Sequence, residues 1–117
     1  RMIVSGATVA LLEGEFALRR LDRVQVKGKQ QVVELHEVLD ALPVGLRELR
    51  LSTKEVFEAG VAHMQAGEPD LGLAAFCEAL RTDPHDRAAV LLASRCERFV
   101  QEGVPTDWQG VTRLDHK

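Results

Sequence analysis

The stretch that decides the fold runs Leu21-Asp22-Arg23-Val24-Gln25-Val26-Lys27-Gly28-Lys29 and resumes two residues later as Val32-Val33-Glu34-Leu35-His36-Glu37-Val38. Both halves carry β-branched residues, and the segment between them is short, charged and contains a glycine able to turn the chain. It reads as two β-strands joined by a tight basic turn. Successive strand side chains point to opposite faces, so Asp22, Val24 and Val26 share one side while Arg23, Gln25 and Lys27 share the other. In the second strand Val33, Leu35, Glu37 and Leu39 oppose Val32, Glu34, His36 and Val38. One side of the hairpin is apolar enough to rest on helices, and the other is polar and basic.

On the N-terminal side, Ile3 to Leu12 reads as a helix of two to three turns, ending at Gly14 where positive φ is tolerated. On the C-terminal side, Asp40 to Leu51 carries Pro43 and Gly45 and reads as a connector. The helical half is then expected to open at Ser52-Thr53-Lys54-Glu55, a capping box in which Ser52 and Glu55 satisfy each other's backbone amides. A third helix follows from about Pro84 to Glu102, with Asp83 as its N-cap and a buried stripe of Ala88, Leu92, Cys96 and Phe99. Gly103 and Pro105 stop it. These signals predict an α+β chain in three parts: a terminal helix and hairpin over 1–42, a connector over 43–51 and a helical extension over 52–117.

Composition agrees with an ordinary globular domain: 117 residues, 45% apolar, 28% charged, net charge −3. The mild acidity argues against a nucleic-acid binder, which carries a basic stripe. No apolar run approaches the roughly 20 residues of a membrane span. Cys77 and Cys96 lie in helical apolar patterns and are expected to be buried thiols of a reducing, cytoplasmic compartment. The abrupt opening Arg1-Met2-Ile3 suggests a segment upstream.

The hairpin resembles the last hairpin of the class III adenylate/guanylate cyclase catalytic domain, whose signature is close to V-K-G-K-x-x-P-V-x-V-Y-E-V. Val32 stands where the family has Pro, and His36 where it has Tyr. In that family an I-x-x-S-x-x-T-x-x-x-L segment precedes the hairpin, a pattern similar to Ile3 through Leu12, and Phe16 matches the aromatic that follows. Thr53 to Asp86 resembles one 34-residue tetratricopeptide repeat, with Gly60, Gly67, Phe76, Ala79 and Pro84 at its consensus spacings, His63 in place of Tyr and Gly72 in place of Ala. Small residues there let two antiparallel helices approach while Phe76 fills the seam. One repeat cannot stand alone, so the helices are expected to lean on the hairpin. The tail Pro105-Thr106-Asp107-Trp108-Gln109-Gly110-Val111 is similar to the P-x-D-W-x-G-V ending of bacterial cyclases that carry helices after the catalytic domain.

The resemblance implies a C-terminal piece of a cyclase whose intact form converts ATP, with GTP second, to the cyclic monophosphate, using two divalent ions (Mg or Mn) and a homodimer. The family's metal aspartates and its N-x-x-x-R motif precede the hairpin, and Asp22 and Asp40 are no substitutes. Only Lys27 carries over, at the position that contacts the substrate phosphates; as a surface turn lysine it has a bland reading too. Lys27 and Lys29 join Arg19, Arg20 and Arg23 in a cluster that meets phosphates or balances Glu13, Glu15 and Asp22. The four histidines show no metal spacing. Trp108 is expected to fold back onto the helices, its alternative role being an exposed anchor for a partner. The rival to the cyclase reading is a helical interaction or regulatory module capped by a β-hairpin, with a protein partner on its helices.

Overall fold

The computed structural model describes residues 2–6, 8, 17–26 and 30–114. Strands β2 (Leu18–Val26) and β3 (Val32–Val38) pair antiparallel, with Gln25 opposite Val32 and Val24 opposite Val33. Two further strands flank this hairpin, giving a four-stranded sheet in the order β1-β3-β2-β4. Strand β1 (Met2–Ser5) lies antiparallel to β3, and β4 (Thr112–Leu114) lies parallel to β2. The chain is mixed α+β, with three helices, the first of which packs on β2.

The helix expected over Ile3–Leu12 is corrected at its start. Ile3 to Ser5 are strand, and helical backbone first occurs at Gly6, where the Ser5 hydroxyl accepts from the Thr8 amide at 3.1 Å in the manner of an N-cap. Residues 9–12 lie outside the described residues. Three β-favouring residues, Met2-Ile3-Val4, find a partner strand in β3, and tertiary pairing overrides the helical pattern there.

The expected connector is also helical. After a 3₁₀ turn (Leu39–Ala41), helix α1 runs from Val44 to Gln65 with Pro43 at its N-cap. Ser52 does not start it: its hydroxyl donates back to the Leu49 carbonyl at 2.7 Å, as a serine inside a helix does. The inward stripe of α1 reads Arg50, Thr53, Phe57, Gly60, Val61 and Met64, at helical spacing. Its first two members are polar, which disguises the period in the sequence.

Helix α2 (Pro69–Thr82) begins with proline at its first position, and helix α3 (Arg87–Glu102) begins three residues later than expected. Asp86, not Asp83, is the N-cap of α3; its carboxylate accepts from the Ala89 amide at 3.4 Å. The expected stripe holds, with Ala88, Leu92 and Cys96 buried and Phe99 half-buried. Cys96 is buried and Cys77 exposed, and neither is in a disulfide. Cys77 sits one residue past Phe76, outside the buried positions Gly72, Phe76 and Ala79 of α2.

Helices α1 and α2 approach so closely that a Cβ on Gly60 would lie 2.9 Å from Phe76 Cε1. Phe76 in turn meets Phe57 edge to face at 5.3 Å. Leu21 of β2 enters this same core beside Phe57, Val61, Leu92 and Cys96, so the helices do lean on the hairpin. Among the described residues no helix is long and apolar enough to cross a membrane.

Candidate functional site

The site expected from the sequence is Lys27, in the segment that joins β2 to β3. Lys27, Gly28 and Lys29 lie outside the described residues; the residues that flank them are described. At the base of the turn the Gln25 side-chain Nε2 donates to the Gln30 carbonyl at 2.9 Å. Beside the turn lies a cavity of about 340 Å³ between the strand ends and the C-terminal tail; Gln25, Gln30, Val32, Trp108, Gln109 and Arg113 line it.

The tail forms the other wall because it is seated at three points. Trp108 is half-buried, its ring edge to face with Phe99 at 5.2 Å and its indole N–H donating to the Met64 carbonyl at 3.1 Å. Gly110 has φ +78°, and a Cβ there would stand 2.7 Å from the Gln65 carbonyl oxygen; only glycine fits. Thr112 then closes a triad: its hydroxyl bonds Asp22 at 3.1 Å, and Arg95 of α3 donates to both, at 3.2 Å and 3.0 Å. Strand β4 therefore reaches Leu114 opposite Val26, the residue before Lys27.

The expected basic cluster is dispersed. Arg23 is exposed, but Arg19 is fully buried. The cause is a register shift between Arg20 and Asp22, a bulge that changes the parity of the strand. Strict alternation puts Arg19 on the open face with Arg23; the bulge turns it to the helices, opposite Glu37. Its guanidinium donates to Asp86 at 2.5 Å and to Glu37 at 2.6 Å, and stacks 3.8 Å over the Phe57 ring.

A second buried guanidinium, Arg50, donates to Asp83 at 2.7 Å and lies 3.6 Å from Asp86 and 3.9 Å from Glu37. Two cations thus face three carboxylates drawn from both strands and all three helices or their caps. Burial pushes the Asp86 carboxyl up, but the hydrogen bond from Arg19 and the charges of Arg19 and Arg50 outweigh it and hold the group below its ordinary value. Sequence reading missed this cluster. Its one visible trace was Asp83-Pro84-His85-Asp86, two carboxylates around a proline just ahead of α3, which announces a cap but not a partner.

Four other titratable groups are committed elsewhere. Asp40 accepts from the Ala17 amide at 3.2 Å, and Asp22 is held by Arg95 and Thr112. His63 meets Glu68 at 2.9 Å on the surface, and His36 meets Glu34 at 3.2 Å. Among the described residues no three His, Cys, Asp or Glu side chains converge on a metal position. Burial pushes the Cys96 thiol up to about 11, against the opposing charge of Arg95, which leaves it an inert core residue. No protein-family model, curated protein or solved structure matches this chain.

Proposed function

We propose that the chain is the C-terminal portion of a class III nucleotide cyclase: the closing hairpin of the catalytic domain followed by a tetratricopeptide-like helical extension. The observation that carries this reading is the pairing of Val24 with Val33 and Gln25 with Val32, which sets Lys27-Gly28-Lys29 as the connection of an antiparallel hairpin. An ammonium at Lys27 is a compact cation suited to a triphosphate. The close seam of Gly60 on Phe76 supports the repeat-like reading of the helices.

The intact cytoplasmic protein would form cyclic AMP from ATP, or cyclic GMP from GTP, releasing pyrophosphate, as a homodimer with two divalent ions. Asp22 and Asp40 do not fit that metal centre, because both already bond protein groups. The chain by itself therefore binds nucleotide phosphates without turning them over. Val90, Leu91 and Val100, exposed along α3, favour as a second reading a regulatory or interaction role for the helices.

Titration of the ¹⁵N-labelled chain with ATP tests the proposal. Shifts are expected to centre on Arg23 to Lys29 and to vanish in Lys27→Ala, with no cyclic nucleotide formed in Mg or Mn. Shifts that persist in Lys27→Ala, their absence from the turn, or cyclic nucleotide formation by the chain overturns it.

A further inference from the structure

A cavity of about 620 Å³ opens between the helix-facing side of the sheet and α3. Leu21 and Leu35 form its sheet wall, and Ala88, Leu91 and Leu92 its helical wall. Leu91 is 61% exposed, an apolar side chain left in water at the cavity. Arg87, Leu91 and Arg95 are spaced by four and share one face of α3.

The two arginines differ. Arg95 is occupied by Asp22 and Thr112. Arg87 makes no ion pair among the described residues. It also stands at the first residue of α3, the positive end of the helix dipole, where a cation is disfavoured. Asp86, the adjacent cap, is already engaged by Arg19, so among the described residues no carboxylate answers the Arg87 charge.

We propose that this cavity binds a small amphipathic anion: an apolar body against Leu21, Leu35, Leu91 and Leu92, with a single carboxylate or phosphate head on Arg87. The volume falls within the roughly 300–1,000 Å³ of small-molecule pockets, which pair an apolar lining with few polar anchors. A guanidinium is the side chain whose planar fork matches either head group. Asp22, the carboxylate on the lining, is neutralised by Arg95 and does not repel the ligand. None of these residues belongs to the Arg23–Lys29 turn, so the site stands or falls apart from the nucleotide reading.

The test titrates the full chain with decanoate below its micelle concentration and, in parallel, with decanol, following methyl and amide NMR signals. Shifts are expected at Leu21, Leu35 and Ala88 to Leu92, with decanoate bound up to about fivefold tighter than decanol, the upper end for one exposed ion pair. In Arg87→Gln the two ligands are expected to bind alike; in Leu91→Gln both weaken while the preference for decanoate persists. Equal binding of the two ligands to the wild type, a preference that survives Arg87→Gln, or shifts centred elsewhere overturns the proposal. So does binding that occurs only to phosphatidylglycerol vesicles and not to free decanoate, since that outcome assigns the chemistry to a membrane surface.

Discussion

Arg19 shows how far one residue's role depends on a single irregularity of the backbone. With no bulge it belongs to the open face; with one it is a buried cation held by Glu37 and Asp86 and capped by the Phe57 ring. Buried ion pairs repay their desolvation only when geometry is good, and removing one partner leaves the other charge stranded. Asp86→Asn is therefore expected to cost about 3 kcal/mol at pH 7 by urea denaturation. The carboxyl of Asp86 titrates lower when folded than when unfolded, so its contribution is present above the ordinary value of 3.8 and fades as pH falls through the folded value. The gap between wild type and Asp86→Asn is expected to narrow below pH 3.8; a constant gap down to pH 2 would show that Asp86 is not the ionised partner.

Among the elements, the three-residue strand β4 has the largest consequence for its size. It closes the outer edge of β2 and ties the end of the helical extension to the strand that leads into Lys27. Its own hydrogen bonds are few, so its placement rests on what precedes it: the Trp108 seat, the Gly110 turn and the triad of Thr112, Asp22 and Arg95. Gly110→Ala must carry a Cβ at positive φ and within 2.7 Å of a carbonyl oxygen, a strain of about 1–2 kcal/mol before the clash is counted. The variant is expected to red-shift Trp108 emission and to speed amide exchange at Thr112 to Leu114 while α1 and α2 keep their protection. An unchanged emission spectrum would mean that the tail is held by other contacts.

For the molecule as a whole, the hairpin and the helices share one core and one ionic cluster. Leu21 packs with the residues of α1 and α3, while Arg19 and Glu37 of the sheet face Arg50, Asp83 and Asp86 of the helical half. The buried cluster is mostly helical, with Leu21 its residue from the sheet, and a two-stranded hairpin alone leaves its apolar face uncovered. Thermal unfolding is accordingly expected to be one transition, with helical circular dichroism and the β2–β3 amide signals lost at the same midpoint. Separate midpoints would mean that the segments on either side of Pro43 fold as independent units.

Local chemistry was enough to read the β2–β3 hairpin, the stop at Gly103, the buried stripe of α3 and the dependence of the helices on the hairpin, because each rests on a period, a turn residue or a missing partner visible within a short window. The bulge, the strand character of Ile3 to Ser5, the start of α1 at Val44 and the addition of β4 belong to tertiary structure alone. Their cause is common to all four: pairing along a sheet edge and mutual neutralisation of Arg19, Glu37, Arg50, Asp83 and Asp86 join residues far apart in the chain. A charged residue reads as surface until its counter-charge is found, and only the folded chain brings the two together.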